Sequence, residues 1–261
     1  MRRGLVRDLE AARADIDAGR VTVAGAPATN QRRLVSAADP ILLRNEVARF
    51  VSRGGEKLDA ALEHFGVDVT GKRVLDAGAS TGGFTDCVLQ RGAREVVAVD
   101  VGYGLLHERL GRDARVRSLE RKDVRDLDRD VLGQFDLVVA DLSFISLDRV
   151  LDGLVELCGP DCILVLLVKP QFEAARVEAD KGRGVITDPH IWRRVLEEVI
   201  TAVRRRGAVI MGVMASPITG AEGNVEFLLT CRGRSKSPQG SVAAPVDLDA
   251  VLAEVIARQD R

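Results

Sequence analysis

Apolar positions in this chain change period several times, and each change marks an element. Between Arg7 and Ala18 they fall at Leu9, Ala12 and Ile16, a helical stripe that stops at Gly19. Val21-Thr22-Val23, running into Ala24-Gly25-Ala26-Pro27, predicts a short strand and a turn. Leu34-Val35 and Ile41-Leu42-Leu43, on either side of Asp39-Pro40, predict two more extended pieces. The helical period returns from Arg53 to Phe65, opened by Gly54-Gly55, with Leu58, Ala61, Leu62 and Phe65 on one face and Lys57 in the first turn.

Beyond that point the pattern is one of near-continuous Val, Leu and Ile runs. They end at Val74-Leu75 and recur over Glu95–Asp100, Arg115–Leu119, Phe135–Ala140 and Ile163–Val168. Such runs suit a sheet covered on both faces. Ala208–Ala215 and Asn224–Cys231 predict a closing antiparallel pair, with Glu226 opening the last strand, and Asp188–Arg206 predicts a long helix before them. The fold class expected is α/β and Rossmann-like, a mostly parallel seven-stranded sheet with an antiparallel last strand, preceded by a small α+β unit. The expected divisions are 1–43 for the small unit, 44–52 for a linker, 53–232 for the sheet domain, and 233–261 for a tail. In that tail Ser235–Pro245 is a polar linker and Val246–Ala257 a terminal helix without a chemical role. The stretch Gln171–Pro189 has little periodicity and contains Lys181-Gly182-Arg183-Gly184, which predicts a lid or a disordered loop.

Charge is nearly balanced overall but unevenly spread. From Met1 to Lys57 eleven Arg or Lys face seven Asp or Glu, whereas the remainder carries 27 against 32. A basic front on an acidic body points to a polyanionic partner for the front, although a solvated Arg-rich surface would give the same count. The four cysteines, Cys87, Cys158, Cys162 and Cys231, are scattered, and no Cys or His pair completes a metal set, so reduced structural thiols and no metal are expected. Met1-Arg2-Arg3 leads into charged sequence rather than an apolar signal core, and no apolar run approaches membrane-spanning length, which points to the cytoplasm.

The chemistry centres on Arg73–Phe84, R-V-L-D-A-G-A-S-T-G-G-F. A strand enters a glycine turn and a helix begins at once, the arrangement that places ligands at the carboxyl end of the first strand of an open α/β sheet. Asp76 stands where a dinucleotide site would hold pyrophosphate, and a carboxylate there suits a cation instead. S-adenosylmethionine, with its sulfonium and ammonium groups, fits better than NAD or ATP. Asp100 ends the second strand, where Rossmann-like folds bind ribose hydroxyls, and Asp123 follows the third, placed to meet an adenine amino group. Lys57, Asp141, Lys169 and Glu226 remain once packing is accounted for. A lysine directly after a five-residue apolar run is costly unless its ammonium emerges into a cleft. Two lysines and two acids beside a methyl donor suit a weakly acidic hydroxyl as acceptor: Lys169 would take or steer its proton, Lys57 would supply like-charge repulsion, and Asp141 and Glu226 would orient both.

The order Lys57, Asp141, Lys169, Glu226 resembles that of FtsJ-type ribose 2′-O-methyltransferases. Val51-Ser52-Arg53-Gly54-Gly55-Glu56-Lys57-Leu58, Asp76–Thr85, Asp100-Val101-Gly102-Tyr103-Gly104, Asp141–Ser146 and Lys169-Pro170-Gln171-Phe172-Glu173 resemble the TlyA (haemolysin A) family. That resemblance implies S-adenosylmethionine-dependent methylation of cytidine 2′-hydroxyls in the ribosomal RNA of ribosomal subunits. It implies a cofactor site of Asp76, Gly78, Ala79, Ser80, Thr81, Gly82, Gly83, Phe84, Asp100, Val101, Tyr103, Asp123 and Asp141. Two other readings stay open: a membrane-active protein, as the family's second name suggests, and an RNA-binding protein with a silent methyltransferase fold. The complete four-residue set argues against silence.

Ala18–Gly25 resembles part of the RNA-binding module that ribosomal protein S-four shares with pseudouridine synthases and tyrosyl-tRNA synthetases. The family's first helix would end near Arg3-Gly4-Leu5, so the resemblance leads us to expect a start upstream of Met1. A longer chain should then melt higher and bind ribosomal subunits more tightly, with a steeper salt dependence from any added Arg or Lys. Unchanged melting and unchanged affinity across a salt series would show the shorter module to be sufficient.

Overall fold

The computed structural model describes residues 3–6, 8–28, 30–36, 38–43, 49–233 and 246–259. It falls into two compact units, Met1–Arg53 and Gly54–Arg261. Most of the expected 44–52 linker and all of the expected Ser235–Pro245 linker lie outside the described residues.

In the first unit α1 (Leu9–Asp17) is capped by Asp8, whose side chain accepts from the Ala11 amide at 2.7 Å. Strands β1 (Val21–Val23) and β2 (Ala26–Pro27) form a hairpin whose two turn residues, Ala24 and Gly25, both have positive φ, and β3 (Ile41–Leu43) pairs with the other edge of β1. Leu34-Val35 forms no strand, contrary to the apolar pattern. The backbone after it is committed to a Ser36–Asp39 turn, in which the Asp39 carboxylate accepts from the Ser36 amide and the Ser36 hydroxyl from Ala38.

The second unit begins with α2 (Gly54–His64), followed by β4 (Arg73–Ala77), α3 (Gly83–Gln90), β5 (Glu95–Asp100), α4 (Glu108–Gly111), β6 (Val116–Glu120), α5 (Arg129–Leu132) and β7 (Phe135–Ala140). It continues through α6 (Leu151–Glu156), β8 (Cys158–Val168), α7 (Pro170–Glu173), α8 (Arg176–Lys181), α9 (Pro189–Arg205), β9 (Val209–Ala215), β10 (Phe227–Arg232) and α10 (Leu248–Gln259). The sheet has seven strands in the order β6-β5-β4-β7-β8-β10-β9. The β6-β5-β4-β7-β8 part is parallel, and β10 lies antiparallel between β8 and β9. This is the α/β sheet expected from the apolar runs, with its antiparallel last strand in chain order.

Three departures from expectation have identifiable reasons. Strand β8 starts at Cys158 rather than Ile163, because Phe135 of β7 pairs with Cys158 and carries the ladder past Gly159-Pro160. Strand β10 begins at Phe227, leaving Glu226 just outside the ladder. The stretch Gln171–Pro189 is not one open loop. It contains α7 and α8, and Ile186 is buried. Asn224, 1% exposed, anchors it: its carboxamide oxygen accepts from the Ile186 amide at 3.0 Å, and its nitrogen donates to the Gly184 carbonyl at 2.8 Å. The indole of fully buried Trp192 donates to the Ile186 carbonyl. The terminal helix α10 packs Leu248, Leu252 and Val255 inward and contacts β9 and α9.

Replacing Asn224 by Ala strands an amide and a carbonyl in a partly buried place, so it should cost roughly 2–3 kcal/mol in denaturant unfolding. Protease cleavage should rise at Arg183, within the segment that Asn224 holds. Wild-type unfolding and cleavage in this variant would show that the segment is secured by other contacts.

Candidate active site

The turn after β4 is closed by hydrogen bonds that reach the neighbouring strand. The amides of Gly78 and Ala79 both donate to the Val99 carbonyl, and the Ser80 amide donates to Asp100 Oδ2 at 2.8 Å. The other Asp100 oxygen accepts from Gly102 at 2.7 Å, so one carboxylate ties the glycine turn to the loop after β5. Gly78 has φ +87, and a β-carbon there would lie 2.4 Å from the Asp141 carbonyl oxygen. Only glycine permits that approach. The Asp141 amide in turn donates to the Ala77 carbonyl at 3.0 Å, locking the end of β7 beside the end of β4.

A cavity of about 470 Å³ opens at these strand ends. Of the residues expected around a cofactor, Gly78, Ser80, Asp100, Val101, Asp123 and Asp141 line it. Ala79, Gly82, Gly83 and Phe84 are buried, Thr81 is exposed, and Tyr103 is exposed with the Arg121 guanidinium 4.2 Å from its ring centre; none of these lines the cavity. Asp123 reaches the cavity already engaged, because Arg125 donates to both of its oxygens, at 2.9 and 2.6 Å. Those bonds hold its carboxyl down at about 2.

Asp76 differs most from the sequence reading. It is fully buried and does not line the cavity. Its Oδ2 accepts from Thr85 Oγ1 on α3 at 2.6 Å, while Oδ1 has no hydrogen-bond partner. Burial pushes the carboxyl up to about 7 against the Thr85 bond, and the charges of Asp141 and Asp100 add to the rise.

The four residues singled out as an acid–base set are two ion pairs. Lys169 Nζ lies 2.6 Å from Asp141 Oδ1 and donates to Ser143 Oγ at 2.9 Å. Lys57, on the first turn of α2, pairs with Glu226. Both lysines are more than nine-tenths buried, and Glu226 is 3% exposed. Strand register brings the pairs together: Phe227 lies opposite Val168, so one further step along the antiparallel ladder sets Glu226 opposite Lys169. Gly220 closes over the second pair, since a β-carbon there would meet Glu226 Oε1 at 2.7 Å.

Sequence reasoning assigned no role to Thr85, Ser143, Lys122 or Phe144. Lys122, Ser143 and Phe144 line the cavity, and Phe144 is 91% exposed at φ +63, with its ring centre 5.0 Å from that of Phe172. The available signal was an aromatic residue three positions after the aspartate that follows a strand.

A family model described as FtsJ-like methyltransferase matches residues 50–234. The 16S/23S rRNA (cytidine-2'-O)-methyltransferase TlyA of Mycobacterium tuberculosis is 46% identical over 234 residues, 89% of this chain and 87% of that protein. Hemolysin A of Brachyspira hyodysenteriae is 38% identical over 81% of this chain and 88% of its own length. A solved structure from Streptococcus thermophilus, provisionally named a hemolysin, aligns with a TM-score of 0.78 at 36% identity, covering 99% of this chain and 94% of that one. Among the described residues no helix is long and apolar enough to cross a membrane.

The raised Asp76 carboxyl has a measurable consequence. Its folded-state value, about 7, exceeds the ordinary 3.8, so the folded chain holds this proton more tightly than the unfolded chain does. Stability from this group is therefore fully present below 3.8 and is lost as pH rises through about 7. Asp76→Asn cannot ionise and still accepts from Thr85, so it should flatten that fall and exceed the parent in stability at pH 8. Identical pH slopes in chemical denaturation would show that the buried carboxyl is not held neutral.

Proposed function

The chain belongs to the FtsJ-like methyltransferase family, and on that premise we propose that it transfers a methyl group from S-adenosylmethionine to the 2′-hydroxyl of a cytidine in ribosomal RNA. The observation that carries this reading is the pairing of Lys169 with Asp141 and of Lys57 with Glu226 beside a glycine-turn cavity. The relatives named as rRNA (cytidine-2'-O)-methyltransferases support the choice of substrate.

The cavity suits the cofactor. Asp100, Asp123 and Asp141 line it together with Lys122 and Arg125; Asp123 is paired with Arg125 and Asp141 with Lys169, while Asp100 bonds to backbone amides, which leaves its charge to meet a cation. Gly78 and Ser80 would admit the amino-acid end and Asp100 the ribose hydroxyls. Asp123 would meet the adenine through lone pairs that Arg125 leaves unused. The bound cofactor would supply an electrophilic methyl carbon on a positively charged sulfur.

The chain's own residues handle the acceptor. Two hydrogen-bond directions of Lys169 Nζ point to Asp141 and Ser143; the third is an N–H that holds the ribose 2′-hydroxyl while the lysine is an ammonium, or a lone pair that takes the hydroxyl proton when the lysine is neutral. Asp141 fixes the Lys169 ammonium on the cavity side, while Glu226 holds Lys57. Phe144, exposed beside this group, offers a stacking face for an unpaired base. In this division of labour residues 53–232 carry the chemistry, and the basic segment from Arg2 to Arg53 supplies most of the RNA affinity through phosphate contacts. The substrate then places the protein with ribosomal subunits in the cytoplasm.

Ribosomes incubated with the purified protein and labelled cofactor should gain methyl groups on cytidine ribose, mapped by mass spectrometry. Lys169→Ala should lower transfer by roughly a hundredfold or more if proton handling is lost, with cofactor affinity by calorimetry nearly unchanged. Full activity in that variant would remove Lys169 from the reaction, and labelling confined to bases would overturn the ribose assignment.

A further inference from the structure

Glu173 is a carboxylate that the reaction does not use, yet it lies one short helix away from Lys169. It ends α7, which starts directly after that lysine. Its Oε2 accepts from Ser146 Oγ at 2.7 Å, and its Oε1 from the Leu147 amide at 2.8 Å. Ser146 and Leu147 close the segment that begins at Asp141. That segment is therefore tied to the turn after β8 at two places: Asp141 and Ser143 hold Lys169 at one end, and Glu173 holds Ser146 and Leu147 at the other. Phe144 and Phe172 pack against each other between the two ties.

We propose that Glu173 is a positioning residue for methyl transfer, clasping the segment from Asp141 to Leu147 against the turn that follows Lys169 and so fixing the Asp141–Lys169 pair in its working geometry. The proposal rests on the functional reading above. Glu173 acts through Asp141, Ser143 and Phe144 and touches no reacting atom. Three facts favour a clasp over an ordinary surface contact. Both carboxylate oxygens are used, and on the same two adjacent residues. Burial, with Asp148 and Glu198 nearby, raises the carboxyl above its ordinary value despite those two donors, so the group is kept at an electrostatic cost. The clasped segment also contains a non-glycine residue, Phe144, at φ +63, a conformation that persists only when its surroundings hold it. An error of about 1 Å in placing a reacting group costs on the order of a hundredfold in rate, so a clasp at this distance has enough leverage to matter.

The test uses the full chain with Glu173→Ala, Glu173→Gln and Ser146→Ala, read by single-turnover methyl transfer, cofactor affinity and amide hydrogen exchange. Glu173→Ala should slow transfer roughly tenfold or more while cofactor affinity stays within about twofold, because only the acceptor side loses its geometry. Exchange should quicken from Asp141 to Leu147 and stay native in β7. In Glu173→Gln the carboxamide oxygen still accepts from Leu147 and its nitrogen can donate to Ser146 Oγ, so transfer should return to within about threefold of native. A native rate in Glu173→Ala, or a glutamine variant as slow as the alanine variant, overturns the clasp. If the alanine variant fails to fold, Ser146→Ala decides, with slower transfer and faster exchange expected and native values of both overturning. Exchange needs no substrate, so it judges the clasp even if the native protein transfers no methyl group to RNA, an outcome that would sink the functional reading instead.

Discussion

The carbonyl oxygen of Asp141 sits 2.4 Å from where a β-carbon on residue 78 would be, and the site depends on the absence of that carbon. The close approach sets the end of β7 beside the turn that follows β4, so the cavity wall and the Lys169 partner are the same residue, Asp141. Register extends this order along the sheet. Leu166 of β8 lies opposite Ala140 of β7, and β10 returns antiparallel on the far side of β8 with Phe227 opposite Val168, so that Glu226 and Lys169 are the next residues beyond that pair. The cavity and the two lysine–carboxylate pairs thus lie at the same end of the sheet.

That end of the sheet concentrates charge where water is scarce. Isolated buried lysines would be costly, and here each ammonium has a carboxylate within contact. Asp76 has only a threonine hydroxyl, and burial pushes its carboxyl up to about 7. A cationic ligand next to it would relieve the imbalance.

Polar anchors fix the loops around this end of the sheet. Asn224 secures the segment before α9, Glu173 secures the segment after β7, and Asp100 secures the glycine turn, each by accepting backbone amides in a specific loop. Such bonds give a loop a defined conformation that an apolar contact would not specify.

Period and punctuation in the sequence determined the sheet, because a Val- and Leu-rich run bounded by glycine or a charged residue has few other uses. Phe135–Ala140 and Glu95–Asp100 coincide with their strands residue for residue. That charge at element ends, as at Lys57, Asp141, Lys169 and Glu226, needs a partner was also legible, and the structure pairs Lys169 with Asp141 and Lys57 with Glu226. Direction and partnership were not. Asp76 lies on a buried strand and turns toward Thr85, away from the cavity, and only the packing of α3 against β4 decides that. The Arg125 that engages Asp123 stands two residues on, yet the pairing needs the turn between them. Glu173 is an unremarkable acid in the chain, and it meets Ser146, 27 positions earlier, only because β7 and β8 are neighbours in the sheet. Local pattern records which groups must be buried or satisfied. Which distant group satisfies them depends on strand order and register, and no single segment contains that information.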